Sequence, residues 1–183
     1  MNEVTFGDIF FIVLVGGGIY LILYLVNRSR TVRLPKEPST TDIISDDALL
    51  SILTKSRVIA LVGASSDPDR PSHQVLEYLL KEGYTVFPVN PREEKILDQP
   101  VFKSLDDLPR RPDIVDVFRR PEHVPEIARR AASIGAEVLW LQEGVISREG
   151  MNIACSAGME VVMDRCIRKE HRRLVAGHSG AAY

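Results

Sequence analysis

The stretch IALVGASSDPDRPSHQV, residues 59–75, decides the fold, because a short apolar run passes through a polar loop into an amphipathic segment. Apolar runs bounded by turn residues are typical of buried strands, and the following spacing predicts a helix. A loop between a strand and a helix suits phosphate binding by backbone N–H groups. This loop has one glycine, Gly63, where a dinucleotide-binding fingerprint has several. Hydroxyls of Ser65 and Ser66 and the cation of Arg70 are alternative phosphate ligands, and an ordinary turn with a helix cap stays open.

The same alternation continues to the end of the chain. Short apolar runs alternate with helical patterns of about eleven residues, which is typical of a doubly wound α/β protein. We therefore expect a Rossmann-like, mostly parallel sheet of about five strands, with a further helix before it over 42–55 and a short edge element at Val101-Phe102. The predicted strands are 58–62, 84–89, 113–118, 137–141 and 160–163, and the predicted helices between them are 72–82, 124–134 and 147–157.

The N-terminal region breaks this pattern. Residues 9–26 carry no charge, and a run of this length approaches the roughly twenty residues that span a bilayer. Arg28, Arg30, Arg33 and Lys36 follow the run, whereas no Lys or Arg precedes it. Positive charge accumulates on the cytoplasmic side of membrane helices. The sequence thus predicts one transmembrane helix, with the N-terminus outside and the rest of the chain in the cytoplasm.

Composition bounds the remaining organisation. The chain has 183 residues, of which 45% are hydrophobic, and one globular core fits this length. A net charge of −2 gives no electrostatic footprint for nucleic acid. Cys155 and Cys166 lack metal-ligand spacing, so we expect no metal and a reducing compartment. The expected divisions are an anchor over 1–26, a linker over 27–41, the α/β domain over 42–174 and a flexible tail over 175–183.

The residues after each strand are where doubly wound sheets bind ligands. No carboxylate ends the second strand, which stops at Asn90-Pro91-Arg92, and this disfavours NAD. A ribose that carries a phosphate, as in NADP or coenzyme A, fits better. The third strand ends in Phe118-Arg119-Arg120, which pairs an aromatic platform with two cations. A solvated loop is the alternative for the end of the second strand, and a surface charge pair is the alternative for the end of the third.

The fourth strand and the titratable side chains leave more open. Trp140 and Gln142 share a strand face by the period of two, and spacing alone favours core packing slightly over ligand contact. None of the four histidines has a Ser or Cys partner in a recognisable motif. Cys166 follows the last strand on the ligand side. We therefore predict no catalytic residues and no metal site.

Together the strand-end motifs resemble a known family. They resemble the small bacterial CoA-binding proteins, whose single Rossmann-like domain is similar to the CoA-binding domain of succinyl-CoA synthetase. The resemblance covers about residues 45–174 in order, and the phosphohistidine loop and second domain of the ligase relatives have no counterpart. The motifs that carry it are VGASSDPDRPSHQV, GYTVFPVNP, ILDQPVFKSLDDLP, DIVDVFRRPE, VLWLQEGV and VVMDRCIRKEH.

The resemblance implies a coenzyme A site made of three groups of residues. The group implied at the pyrophosphate is Gly63, Ala64, Ser65, Arg70 and Ser72. The group implied at the adenosine and its phosphates is Asn90, Pro91, Phe118, Arg119 and Arg120. The group implied along the pantetheine path is Trp140, Gln142 and Gly144.

The resulting hypothesis is a membrane-anchored, cytoplasmic protein that binds CoA or acyl-CoA without catalysis, as a sensor or as a module presenting the cofactor to a partner. Two alternatives stay open. One is an enzyme or enzyme subunit acting on acyl-CoA thioesters, with Cys166 or His73 as the candidate reactive groups. The other is an NADP-binding redox sensor.

Overall fold

The computed structural model describes residues 44–176 and two short strands before them, β1 (Leu14–Val15) and β2 (Gly18–Ile19). The chain forms two compact units, residues 1–42 and 43–183. In the first unit β1 and β2 pair antiparallel, so these four residues are extended where the sequence predicted a helix. Apart from these four residues, the predicted transmembrane run and the linker lie outside the described residues, as does the tail from residue 177. No helix in the described part of the chain is long and apolar enough to span a bilayer.

The second unit alternates strands and helices. Its strands in chain order are β3 (Val58–Val62), β4 (Thr85–Val89), β5 (Lys95–Ile96), β6 (Gln99–Pro100), β7 (Ile114–Val117), β8 (Val138–Leu141) and β9 (Glu160–Val162). Its helices are α1 (Asp46–Lys55), α2 (Pro71–Lys81), α3 (Val124–Ser133), α4 (Arg148–Ser156) and α5 (Ile167–His171). Short 3-10 helices cover Leu105–Asp107 and Pro121–His123, and a π-helical turn, Arg172–Ala176, follows α5.

Five strands form one parallel sheet in the order β4-β3-β7-β8-β9. The chain leaves β3 for β4 on one side and later returns to β7 on the other, so the strand order reverses between β3 and β7. Every residue of β3, β7 and β8 is buried, as expected for strands covered on both faces. The structure confirms the predicted α/β class and the mostly parallel five-stranded sheet.

The two faces of the sheet carry separate apolar cores. Leu61 and Trp140 face α1, α2 and α5, where Leu49, Leu76 and Ile167 complete the first cluster. Their strand neighbours point the other way because side chains alternate along a strand. Ala60, Val62, Val117, Leu139 and Ala154 form part of the second cluster, on the side of α3 and α4.

The edge region after β4 differs from its prediction. Instead of a short element at Val101-Phe102, β5 and β6 pair as an antiparallel hairpin, and Phe102 makes a single bridge with Val89. Leu97 and Asp98 form the turn of the hairpin, with φ values of 46° and 61°. Two consecutive residues with positive φ are typical of a tight hairpin turn, and neither residue is the glycine that usually signals one. This explains why the pattern concealed the hairpin.

Candidate functional site

The carboxyl ends of the central strands bring three of the predicted segments together. The Gly63 N–H donates to the Val89 carbonyl at 2.9 Å, and the Phe118 N–H donates to the Val62 carbonyl at 2.8 Å. The loops after β3, β4 and β7 are therefore joined at their first residues. This is the switch point of the sheet, where doubly wound proteins bind ligands.

Gly63 is required at this junction for two reasons. Its φ is +90°, a conformation that side chains with a Cβ rarely adopt. A Cβ built there would lie 3.0 Å from the Phe118 carbonyl oxygen and 3.0 Å from Cδ of Arg119. The glycine thus lets the loop after β7 approach the loop after β3.

The loop from Ser65 to Arg70 is held by its own polar groups. The Ser65 hydroxyl accepts from the Asp67 N–H at 3.2 Å, and an Asp67 carboxylate oxygen accepts from the Asp69 N–H at 3.0 Å. The Arg70 guanidinium lies 3.6 Å from Asp67 with both side chains exposed, a pair that contributes little. The loop is a turn stabilised by side chains, and the Arg70 cation stays in contact with solvent.

Helix α2 begins at Pro71 with Arg70 at the N-cap position, and no side chain in residues 44–176 caps it. Ser72 occupies the second helical position and is buried, so its side chain is not at the N-cap position. Pro71 has no N–H, and the N–H groups of His73 and Gln74 donate to the Arg70 carbonyl. The positive end of the helix dipole still lies beside the loop without a side-chain cap.

Asn90 connects the end of β4 to the first loop. Its side-chain amide donates to the Ala64 carbonyl at 2.7 Å and accepts from the Arg92 N–H at 3.0 Å, while its own N–H donates to the Phe102 carbonyl at 2.9 Å. Asn90 therefore positions the neighbouring loops. Pro91 beside it is exposed.

A cavity of about 320 Å³ opens at this junction, between the residues after β4 and the start of α3. Gly63, Pro91 and Arg119 line it, so three of the predicted residues share one space. The other lining residues are Val62, Val89, Lys103, Ser104, Leu105, Asp106, His123, Glu126, Ile127 and Arg130. The sequence analysis assigned no ligand role to this second set, because Lys103 to Asp106 reach the cavity only through the edge hairpin and the 3-10 helix after it.

The cations around the cavity differ in their partners. Arg130 is paired with Asp106 at 2.6 Å and with Glu126 at 3.1 Å. Arg119 is exposed and makes no ion pair within residues 44–176. Arg120 lies outside the cavity lining, 3.8 Å from Glu122. Arg119 is therefore the better placed of the two adjacent arginines to meet an anionic ligand.

The residues predicted along the pantetheine path lie elsewhere. Trp140 is fully buried, and its indole N–H donates to the Arg165 carbonyl at 2.7 Å. Gln142 is buried and donates to Asp116 at 2.6 Å. Gly144 is exposed, and its N–H donates to Asp164 at 2.7 Å. None of the three predicted residues lines the cavity, and Trp140 packs in the core, the alternative that spacing favoured.

Asp116 is the residue that sequence reasoning missed. It is fully buried in β7; one carboxyl oxygen accepts from Gln142, and the other, Oδ2, has no hydrogen-bond partner in residues 44–176. Burial raises the pKa of this carboxyl from 3.8 to about 7. An acidic residue inside the apolar run DIVDVF was the available signal.

The candidate reactive groups are held by the fold. Cys166 is buried at the N-cap of α5, and the Nδ1 atom of His73 is 3.0 Å from the Ser65 carbonyl oxygen. Among the described residues no cluster of His, Cys, Asp and Glu side chains has the arrangement of a metal site. The exposed guanidinium groups of Arg70 and Arg119 at this edge are groups that can bind an anion.

Known proteins share this architecture. A family model described as the CoA binding domain matches residues 57–172. The uncharacterized protein YneT of Bacillus subtilis is 38% identical over 120 residues, which cover 66% of this chain and 89% of that protein. A hypothetical protein from Pyrococcus horikoshii with a solved structure is 38% identical with a TM-score of 0.72, over 76% of this chain and 99% of that one.

Larger proteins match over a part of their length. The alpha subunit of ADP-forming acetate–CoA ligase II from Pyrococcus furiosus is 25% identical over 130 residues, 65% of this chain but 28% of that protein. The dinucleotide-forming acetyl-coenzyme A synthetase 1 of Ca. Korarchaeum cryptofilum has a TM-score of 0.56 at 24% identity, over 63% of this chain and 28% of that one, and shows the shared fold alone. On the match over residues 57–172, the chain belongs to the CoA-binding domain family.

Proposed function

We propose that this protein binds coenzyme A or an acyl-CoA at the carboxyl ends of β3, β4 and β7. The observation that carries the proposal is the cavity at the switch point, which Gly63, Pro91 and Arg119 line together. Its volume of about 320 Å³ lies in the range of small-molecule sites. Membership of the CoA-binding domain family supports the identity of the ligand.

Groups at this edge of the sheet fit the chemistry of the cofactor, although Arg70 and the start of α2 do not line the cavity itself. The uncapped N-terminus of α2 and the exposed cation of Arg70 suit the pyrophosphate. Arg119 suits a second phosphate, because a guanidinium donates two parallel hydrogen bonds to phosphate oxygens. The thiol of coenzyme A carries the acyl group when the cofactor is bound, and the protein residues hold its anionic end.

The proposal assigns the chain to binding rather than catalysis, as a sensor or as a module that presents the cofactor to a partner. Thioester chemistry would need Cys166 or His73 to be available. Cys166 is buried, and the His73 ring is hydrogen-bonded to the Ser65 carbonyl in the loop before α2. Both side chains therefore serve the fold of the site.

The proposal also places the domain at a membrane. We infer that residues 9–26, of which the structure describes Leu14–Val15 and Gly18–Ile19 as strands, form a single transmembrane helix when they enter a bilayer. The N-terminus would then lie outside and the CoA-binding domain in the cytoplasm. The uncharged run and the cluster of Arg28, Arg30, Arg33 and Lys36 after it support this orientation.

Ligand-dependent thermal unfolding of the full chain tests the binding proposal. CoA at a hundredfold its Kd is expected to add about 2.7 kcal/mol of stability, and dephospho-CoA is expected to add less at equal concentration. NADP and NAD serve as comparison ligands. No shift with CoA, or an equal shift with dephospho-CoA, contradicts the assignment of the cationic strand ends. A larger shift with NADP than with CoA favours the redox-sensor alternative.

Arg119→Ala locates the site within the same assay. Loss of a charged hydrogen bond to phosphate is expected to weaken CoA binding about tenfold or more. Arg110→Ala is the matched control, because Arg110 is an exposed arginine that does not line the cavity. Equal affinities of the two variants would reassign Arg119 to the solvated surface.

A further inference from the structure

The carboxylate of Glu93 accepts hydrogen bonds from Ser66, which lies in the loop between β3 and α2. Oε1 of Glu93 accepts from the Ser66 N–H at 3.3 Å and from the Ser66 hydroxyl at 3.0 Å. Glu93 follows β4 by a few residues, so the sequence gap of 27 residues hides the contact. No carboxylate stands at Asn90, where β4 ends, but Glu93 in the loop that follows places one beside Ser66.

The backbone of Glu93 is held by two hydrogen bonds, whereas its carboxylate accepts hydrogen bonds from Ser66. Its N–H donates to the Asn90 carbonyl at 3.5 Å, and its carbonyl accepts from Nζ of Lys103 at 2.8 Å. No ion pair joins Glu93 to a cation within residues 44–176, although Lys103 is bound to its backbone. The carboxylate can therefore leave Ser66 without moving the strand end.

The Ser66 donors are of the kind that phosphates use. A backbone N–H and a hydroxyl in a loop between a strand and a helix bind anionic oxygens. The carboxylate and a ligand phosphate cannot both accept the same hydrogens. A phosphate that reaches Ser66 must displace Glu93, and only a ligand that gains other charged contacts in exchange does so.

Resting on the proposed CoA site, we propose that Glu93 is a built-in competitor that lowers the affinity of the site for phosphate-bearing ligands, because its carboxylate and the ligand's pyrophosphate accept from the same N–H and hydroxyl of Ser66. Ligands with several phosphates, which also meet Arg70 and Arg119, overcome the competition. Ligands with the same pantetheine arm and no phosphate make no use of Ser66, so Glu93 leaves their affinity unchanged. Glu93 therefore sets how much further charged contact a phosphate-bearing ligand needs, and a nucleotide diphosphate ester such as coenzyme A supplies that contact.

Removing the charge of Glu93 tests the competition. Glu93→Gln keeps the size of the side chain but weakens its hydrogen bonds, and CoA is expected to bind the full-chain variant about fivefold more tightly by calorimetry. Glu93→Ala removes the acceptor and is expected to bind CoA at least as tightly. Glu94→Gln removes an exposed carboxylate from the next position and is expected to leave the affinity unchanged.

The outcomes separate this inference from the proposed function. A wild-type chain that does not bind CoA contradicts the proposed function. A wild-type chain that binds CoA, with Glu93→Gln no tighter than Glu94→Gln, contradicts the role of Glu93 alone. Weaker binding by Glu93→Gln also overturns it, because the carboxylate would then accept hydrogen bonds from the ligand, as a ribose-binding acid does.

A phosphate probe tests the competition without coenzyme A. The Ser66 amide resonance of the full chain is followed by NMR during titration with inorganic pyrophosphate. It is expected to shift at a severalfold lower pyrophosphate concentration in Glu93→Gln than in the wild type or in Glu94→Gln. If pyrophosphate does not shift the Ser66 amide resonance in any of the three proteins, the inference is overturned.

Discussion

Asp116 is an ionisable side chain that the fold buries completely. It lies in the middle of the sheet, paired in register with Leu61 on one side and Trp140 on the other. The amide of Gln142 satisfies one of its carboxyl oxygens and leaves the other without a partner in residues 44–176. Burying an ionised carboxylate costs several kcal/mol of folding free energy. Burial therefore raises the pKa of Asp116 to about 7, and the carboxyl stays protonated up to about that pH.

This pKa makes the stability of the fold depend on pH. Between pH 3.8, the ordinary pKa, and about pH 7, the native carboxyl keeps a proton that the unfolded chain releases. The free energy of unfolding therefore falls as the pH rises through this window, and the contribution levels off above it.

Asp116→Asn removes this titration. The stability of the variant relative to the wild type is expected to rise between pH 4 and pH 7 by up to roughly 4 kcal/mol, as measured by urea unfolding at a series of pH values. Asp69→Asn, which removes an exposed carboxyl from the same edge, is the control for the loss of a carboxyl group. Parallel pH profiles for Asp116→Asn and the wild type would show that Asp116 does not titrate with folding.

Helices α3 and α4 illustrate how one residue sets the distance between two elements. Gly150 lies in the first turn of α4, and its N–H donates to the Ser147 hydroxyl at 3.2 Å, which caps the helix. A Cβ on Gly150 would overlap Cγ1 of Val124, the fully buried first residue of α3. The absence of a side chain at Gly150 therefore permits the close packing of the two helices.

Gly150→Ala sets helix propensity against this packing. Alanine favours a helix over glycine by about 1 kcal/mol, whereas overpacking a buried contact costs about 1–3 kcal/mol. We expect a net loss of about 1 kcal/mol in the free energy of unfolding, measured by chemical denaturation. Asn152→Ala, at an exposed position of the same helix, is expected to raise stability by about 0.5 kcal/mol. A Gly150→Ala variant more stable than the wild type would show that the two helices can separate without penalty.

Elements also explain which parts of the site were predictable. The loop from Gly63 to the start of α2 follows directly from local pattern, because a strand, a turn and a capping position succeed one another in the chain. The cavity wall from Lys103 to Asp106 does not. It is brought to Gly63 by the β5–β6 hairpin, whose turn at Leu97 and Asp98 lacks the usual glycine.

At the scale of the whole molecule, the proposed anchor would confine the binding site to the membrane surface. Removal of residues 1–26 is expected to move the protein from the membrane fraction to the soluble fraction after a high-salt wash, because the apolar run is then absent. The Glu94→Gln full chain is the control and is expected to stay with the membrane. A wild-type full chain that washes off with salt would contradict a spanning helix.

What the sequence by itself determined is the succession of elements and the edge of the sheet that carries the proposed ligand site. Apolar runs and helical periods are local, and parallel strands place all their carboxyl ends together, so Gly63, Pro91 and Arg119 could be assigned to one region. Only the tertiary structure decided which side chains remain available there. Trp140 packs in the core and donates to the Arg165 carbonyl, the Asn90 side chain donates to the Ala64 carbonyl, and the Ser66 hydroxyl donates to Glu93. Each of these partners is distant in sequence and comes near only after the sheet has formed.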